Sequence, residues 1–143
     1  MSRVVNTNNP GKIRNQLMRT AAELLRHLSQ KTSLDEEAKD MAALLVYCLR
    51  EIDDGIESSA LAWENRDYWI KAEQLRQRWM WTGNAVASLE TIIRTEAWET
   101  LPSMMAELFG YFADIKITKF TRSASAWEGA YRRLMGEFNG RAR

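Results

Sequence analysis

Apolar side chains recur at spacings of three and four along most of the chain, which is the pattern of helices with one buried side. The first stripe consists of Ile13, Leu17, Ala21, Leu24 and Leu28. It follows Asn9-Pro10, a pair suited to capping a helix and to filling its first turn. The pattern therefore predicts a first helix from about residue 10 to residue 30.

A second stripe begins after Ser33-Leu34-Asp35-Glu36 and consists of Ala38, Met41, Leu45, Cys48 and Ile52. Ser33 with Glu36 three residues later forms a capping-box pattern, which predicts that Ser33 caps this helix. Beyond the stripe, Asp54-Gly55 has two interpretations. It is either a turn or a glycine at a close approach between helices.

A third helix is predicted from about residue 67 to about residue 98. Asp67 is the predicted cap, which places the preceding loop around Glu64 to Arg66. Gly83-Asn84 lies inside this span and has the same two interpretations as Asp54-Gly55.

Two shorter helices are predicted in the last third of the chain. Thr100-Leu101-Pro102 opens one of them, whose stripe consists of Leu101, Met105, Leu108, Phe112 and Ile115. The run from Lys116 to Phe120 is the predicted connection. The final stripe consists of Ala124, Trp127, Tyr131, Leu134 and Phe138. Residues 1–9 and 139–143 are predicted to be flexible ends.

Helices with short connections and no strand pattern predict an all-α fold, as a single domain over residues 1–143. The simplest architecture is an up-and-down helix bundle of four to five helices, with a long central helical hairpin as one arrangement of it. Residues 1–33 carry six basic side chains and one acidic side chain, whereas residues 34–66 carry three basic and nine acidic ones. Opposite charge favours the first two helices as antiparallel neighbours.

Composition narrows the classes of function. The net charge is +1, so no global field attracts nucleic acid or an anionic membrane. A single cysteine excludes an intrachain disulfide. No apolar run reaches the length of a membrane span, and the polar start MSRVVNTNNPGK lacks the apolar centre of a signal peptide. We therefore expect a cytoplasmic protein with no nucleic-acid partner, no membrane partner, no cofactor and no bound metal.

The segment from Ala62 to Trp81 holds four of the six tryptophans. On one unbroken helix, a first apolar stripe lies about 240° to 300° around the helix axis from Trp69, and we predict that it faces the core. It consists of Leu61, Tyr68, Ala72, Leu75, Trp79 and Val86. Trp63, Ile70 and Trp81 fall nearly opposite, at about 100° to 120°. A helix that is apolar on two sides is usually buried on two sides.

Three interpretations of this second side stay open: core within the chain, a surface for a second copy or another protein, and a ligand site. If the helix breaks near Glu64, Trp63 could meet Trp69 or Trp81 in an aromatic pocket beside arginines. We predict a non-catalytic interaction or assembly module that forms a homodimer. Its predicted interaction or ligand face consists of Trp63, Arg66, Trp69, Ile70, Arg78 and Trp81.

An acidic pattern supports a rival hypothesis. Glu36-Glu37-Ala38-Lys39-Asp40 and Glu51-Ile52-Asp53-Asp54 resemble the EExxE and ExxD motifs of the all-α nucleotide pyrophosphatases related to MazG. The resemblance implies a nucleotide pyrophosphohydrolase whose Mg²⁺ ligands are Glu36, Glu37, Asp40, Glu51 and Asp54. In that family the two motifs lie on facing helices. Here no turn signal separates them, and on one continuous helix they would lie apart along its axis.

Overall fold

A computed structural model of the chain describes residues 9–141, which contain five α-helices and no strand. The predicted all-α bundle is confirmed. The helices are α1 (Pro10–Ser29), α2 (Glu36–Asn65), α3 (Trp69–Thr95), α4 (Leu101–Phe109) and α5 (Ala130–Arg141). None of these helices is both long enough and apolar enough to cross a membrane. The long helices α2 and α3 form a central helical hairpin, which is one of the arrangements predicted from the sequence.

The helix starts follow from local capping. The side chain of Asn9 accepts a hydrogen bond from the backbone N–H of Lys12 at 3.1 Å, as predicted for α1. The prediction of Ser33 as the cap of α2 is wrong. Asp35 caps it by accepting from the N–H of Ala38 at 2.8 Å, because the helix begins two residues later than the capping box requires.

Helix α2 is the centre of the molecule. It packs against α1, α3 and α5, and in its first half the buried side chains point in most directions around the axis. They are Ala38, Met41, Ala42, Ala43, Leu45, Val46, Cys48, Leu49 and Ile52. The helix continues through Gly55, so the turn interpretation of Asp54-Gly55 is wrong.

Gly83, in contrast, lies at a close approach between helices. It is inside α3, and a Cβ atom there would lie 3.3 Å from Oδ1 of Asp53 on α2. The neighbouring hydroxyl of Thr82, which is fully buried, donates to the same carboxylate at 3.3 Å. The missing side chain therefore lets the backbone of α3 approach α2 at this point.

The turn between α2 and α3 differs from its prediction by two to three residues. Helix α2 ends at Asn65, and Asp67 adopts a left-handed conformation with φ of 66°. Asp67 therefore does not cap α3, which begins at Trp69 without a side-chain cap. An aspartate tolerates this conformation better than most residues, and that explains its place in a tight turn rather than at a cap. Helix α3 ends at Thr95, short of the predicted residue 98.

The two central helices extend past the rest of the bundle. Pro10, the first residue of α1, lies beside Gly55, Ser58 and Ser59 of α2. We call residues 56–80 the hairpin end, and residues 9–55 with 81–141 the body. Ile56 and Ala60 of α2 and Ala72 of α3 are buried in the hairpin end. Leu61 and Tyr68 were predicted as core but are each half exposed, because the helix breaks between them.

The last third of the chain is less regular than predicted. Helix α4 ends at Phe109 and passes into a 3-10 turn over Gly110–Phe112. The connection is longer than predicted, and a 3-10 turn over Ala124–Ala126 precedes α5. Ala124 is exposed and so does not join the buried stripe of Trp127, Leu134 and Phe138. Of the two ends predicted to be flexible, Asn9 is the cap of α1 and residues 139–141 belong to α5. The remaining residues, 1–8 and 142–143, lie outside the described residues.

A buried carboxylate fixes that long connection. Glu23 of α1 is only 2% exposed. It accepts hydrogen bonds from the backbone N–H groups of Thr121 at 3.0 Å and Arg122 at 2.7 Å, and from Nη1 of Arg122 at 3.1 Å. Burial raises the pKa of Glu23, but these bonds lower it further, so its pKa falls below the ordinary value. Beside it, His27 stacks on Phe120 with ring centroids 3.7 Å apart.

Candidate interaction surface

The solvent side of α3 is a continuous row of exposed residues with the three–four spacing of one helix side. We call it the outer face. It consists of Trp69, Ile70, Glu73, Gln77, Met80, Asn84, Ala87, Ser88 and Thr91. Glu73 is the one charged member. From Trp69 to Thr91 the outer face is about 33 Å long.

The other long helices have ordinary solvent sides. Exposed charges are spread along α1 and α2: Lys12, Arg19 and Arg26 on the first, and Glu36, Glu51, Asp54 and Glu57 on the second. Charged residues are the usual content of an exposed helix side. The outer face of α3 differs because it carries only Glu73, while the exposed cations of α3, Lys71, Arg78 and Arg94, are not among its members.

The outer face also carries its large apolar side chains at one end and its centre. Ile70 is 75% exposed, Trp69 is 60% exposed and Met80 is 54% exposed. Leu61 and Tyr68, each half exposed, lie close in sequence to this end at the turn of the hairpin. Exposed apolar side chains that cluster in this way are typical of a contact surface rather than of scattered surface residues.

The predicted line from Trp63 through Ile70 to Trp81 does not exist as one face. Trp63 belongs to α2, as in the alternative with a break near Glu64, but its ring neighbour is Tyr68 at 5.6 Å rather than Trp69 or Trp81. Lys71 and Arg66 lie over the Trp63 ring at 5.0 Å and 6.0 Å. The face of this indole is thus already covered by cations of the chain itself.

Trp81 belongs to the body. Its ring stacks on Tyr111 with centroids 4.2 Å apart and an interplanar angle of 7°. Phe112 meets the same ring edge-on at 5.7 Å, and the ring centroid of Trp79 is 5.9 Å from it. Trp81 therefore holds the turn after α4 against α3, and of the three predicted residues Ile70 remains free on the surface.

The predicted arginines also separate. Arg78 joins Trp63 and Lys71 in lining a shallow groove of about 260 Å³ beside the hairpin end. Arg76 is held by carboxylates of α2, with Nη2 2.9 Å from Glu57 and Nη1 2.5 Å from Glu64. Hydrogen bonds to Glu57 and Glu64 raise the pKa of Arg76. The compact aromatic and arginine pocket considered from the sequence is therefore not assembled.

The acidic motifs on α2 have structural partners. Asp40 accepts from the N–H groups of Gly129 at 3.2 Å and Tyr131 at 2.9 Å, and so caps α5. Glu37 accepts from Nζ of Lys31 at 2.9 Å and from Nε1 of Trp127 at 3.2 Å. These two carboxylates attach α5 and the α1–α2 turn to α2.

The other proposed metal ligands lie apart from them. Glu36 is within 3.7 Å of Lys39, while Glu51 and Asp54 are exposed farther along the same continuous helix. Glu51 is about 16 Å along the axis from Asp40. Residues 9–141 contain no group of three His, Cys, Asp or Glu side chains placed to hold a metal ion. The arrangement gives the Mg²⁺ hypothesis no assembled site.

The single cysteine has the character of a core residue. Cys48 is buried, and burial together with Glu51 raises its pKa to about 12. Its thiol is therefore protonated at neutral pH and a poor nucleophile.

Sequence reasoning missed one important surface residue, Met80. It lies on the same helix side as Ile70, Gln77 and Asn84, at spacings of three and four that are visible in the sequence. The aromatic rings drew attention to Trp81, one residue further on. The missed signal was the scarcity of charge along this side of α3.

The fold and this surface define an all-α bundle with a long central hairpin and a nearly uncharged outer face. Comparison with known proteins adds no relative, since no family model, no curated protein and no solved structure matches the chain.

Proposed function

We propose that this protein is a non-catalytic assembly module that forms a homodimer through the outer face of α3. The observation that carries the proposal is the outer face itself, whose nine exposed side chains include one charge, with the exposed cations Lys71 and Arg78 lying on the neighbouring side of α3. An uncharged helix side with exposed Ile, Trp and Met loses little by leaving water and gains by burying apolar area.

The distribution of side-chain size along the outer face favours an antiparallel pair related by a twofold axis at Met80. In that pairing, Trp69 and Ile70 of one copy lie over the small residues Ala87, Ser88 and Thr91 of the other. A parallel pairing would instead place Trp69 and Ile70 of one copy against the same two residues of the other. Twofold pairs of this kind are the commonest form of homodimer.

The same pairing accommodates the one carboxylate. Glu73 would lie opposite Ala87 of the second copy, between Asn84 and Ser88. Their amide and hydroxyl groups can donate hydrogen bonds to it, as Gln77 of its own chain already does at 3.1 Å. A buried carboxylate with such donors is tolerated, whereas an unpaired one is not.

Light scattering over a concentration series tests the proposal. We expect the wild-type mass to rise to that of a dimer, and the double variant Ile70→Lys with Met80→Lys to stay monomeric, because two cations on each copy would be buried unpaired. Gln16→Lys on the exposed side of α1 is the matched control and should keep the dimer. Circular dichroism verifies the fold of each variant. A wild-type protein that stays monomeric at all concentrations would refute the homodimer and leave the face for a different protein.

Disulfide cross-linking tests the direction of the pair. At the axis, Met80→Cys should cross-link between copies on oxidation. Asn84→Cys is equally exposed, but in the antiparallel pair its two copies are separated by about 12 Å along the axis. That exceeds the roughly 7 Å limit between Cα atoms of a disulfide. Equal cross-linking of both variants would show a parallel pair and contradict the proposed geometry.

A further inference from the structure

An apolar groove of about 300 Å³ lies between the first turns of α1 and the second half of α2. Pro10, Ile13 and Leu17 form one wall, and Ile52 and Ala62 belong to the other. Ile13 is 40% exposed although it belongs to the apolar stripe of α1. The groove is separate from the outer face of α3, none of whose residues line it.

Gly55 makes room for this groove. It lies within α2 and lines the groove, and a Cβ atom there would meet nothing within 4 Å. A larger side chain at this position would point into open space. The volume is at the lower limit of known small-molecule sites. Helix propensity alone would favour almost any other residue in the middle of α2.

Arg14 supplies the one cation of the groove. Its guanidinium lies over the ring of Trp79 at 5.3 Å, and the side chain is half buried. Burial lowers the pKa of Arg14. Among residues 9–141, no carboxylate lies within ion-pair distance of it, whereas Arg50 and Arg76 each contact two. A partly desolvated cation without a counter-ion attracts an anion.

Glu51 also lines the groove, and its side chain is exposed. Its charge opposes an anion, so an anionic group would be placed at Arg14 and away from this edge. Ser58 and Ser59 line the part of the groove on α2 beyond Gly55 and offer hydroxyl groups. The groove thus has a cationic position, an apolar length and a mildly polar far end.

We propose that this groove binds an amphipathic ligand with a medium-length aliphatic chain and one carboxylate group. The carboxylate pairs with Arg14, and the chain lies between Ile13, Leu17 and Ile52. This inference is independent of the proposed homodimer, because the two surfaces share no residue. It gives the bundle a ligand-binding site between α1 and α2.

Isothermal titration calorimetry with three ten-carbon probes, each below its micelle concentration, tests the inference. They are decanoate, decan-1-ol and decyltrimethylammonium. We expect saturable binding of decanoate with one site per chain, at least tenfold tighter than decan-1-ol, and weakest binding of the cation. Equal affinity for decanoate and decan-1-ol would overturn the assignment of Arg14, and no saturable binding of decanoate would overturn the site.

Four variants locate the binding. Arg14→Gln should remove the preference for decanoate over decan-1-ol, whereas the matched control Arg19→Gln, exposed on α1 and outside the groove, should keep it. Glu51→Gln should tighten decanoate binding several-fold by removing the opposing charge. Gly55→Leu should fill the groove and abolish binding of both probes, with the helix preserved. If Arg14→Gln and Arg19→Gln behave alike, or Gly55→Leu still binds, the inference is wrong.

Discussion

Helix α2 passes through two different environments. From Ala38 to Ile52 it is enclosed by α1, α3 and α5, and nine of its side chains there are buried. From Ile56 to Asn65 it loses α5, and its buried residues are Ile56 and Ala60. The first part is the core of the body and the second part belongs to the hairpin end. One helix therefore serves as a scaffold over part of its length and supports an exposed surface over the rest.

Two arginines show the same difference in charge pairing. Arg50 in the body donates from Nε to Glu90 on α3 at 2.9 Å and from Nη1 to Glu137 on α5 at 2.7 Å. Arg76 in the hairpin end pairs with Glu57 and Glu64, both on α2. One arginine ties three helices together and the other ties two. The ion pairs of Arg76 therefore join only α2 and α3, although α1 also reaches the hairpin end, where Arg14 lies over the ring of Trp79.

This difference bears on function. With α5 absent from the hairpin end, α3 has an exposed side there, and this outer face carries few charges. In the body, aromatic rings stack on one another, as Trp81 does on Tyr111. The hairpin end instead exposes Trp69 and Ile70. The variants that follow separate the stability of the body from the surface of the hairpin end.

The largest expected effect is on the centre of α2. Leu45→Ala removes a fully buried side chain and should lower the free energy of unfolding by about 2–5 kcal/mol. Leu61→Ala makes the same chemical change at a half-exposed position of the hairpin end and should have a much smaller effect. Urea denaturation measures both. Equal losses would contradict the distinction between the two regions.

The next effect concerns the long connection in the body. Glu23→Gln should cost about 1–3 kcal/mol, since the partly buried N–H groups of Thr121 and Arg122 exchange a carboxylate acceptor for a single amide oxygen. The folded-state pKa of Glu23 is below its ordinary value, so its stabilisation is complete above about pH 4.3 and is lost as the pH falls below that.

Denaturation curves at several pH values between 3 and 7 test this linkage. The wild type should lose more stability than Glu23→Gln as the pH falls. Glu99→Gln, which changes an exposed carboxylate in the turn before α4, is the control and should lose stability at low pH as the wild type does. A wild-type protein and a Glu23→Gln variant with parallel pH profiles would contradict the assigned role of this carboxylate.

The sequence predicted most of the helices because their signals are local. Asn9 caps α1 as expected, and the stripes of α1 and α2 are buried apart from Ile13 and Leu17 at the start of α1. The errors occur where two local signals compete. Ser33 and Asp35 are both good caps, and the helix start at Glu36 selects Asp35. Asp67 can cap a helix or occupy a left-handed turn, and the tight hairpin requires the turn.

The candidate surface was harder to predict because it depends on what other helices leave uncovered. Trp81 and Ile70 lie on the same side of α3 in a helical projection, yet Tyr111 covers only Trp81. Glu23 is about a hundred residues from the connection it fixes, and no periodicity relates them. Pairings of this range depend on the tertiary fold, and a hydrophobic pattern does not encode them.

The smallest expected effects come from two helical glycines. Gly55→Ala should raise the free energy of unfolding by up to about 1 kcal/mol, because alanine favours the helix and the new methyl group meets no atom. Gly83→Ala gains the same helix propensity, but its methyl group would lie 3.3 Å from Oδ1 of Asp53. We therefore expect a smaller gain or a net loss at Gly83, measured by thermal and urea denaturation.

The double variant Gly83→Ala with Asp53→Ala sharpens this last comparison. If contact with Asp53 opposes the gain, removing the carboxylate should make Gly83→Ala more favourable than it is in the wild-type background. The buried hydroxyl of Thr82 keeps its bond to the carbonyl of Trp79 at 2.8 Å in that background, so it is not left without an acceptor. An unchanged effect of Gly83→Ala would show that the approach of α3 to α2 is set by other contacts. In that case the hairpin would not depend on glycine at this position.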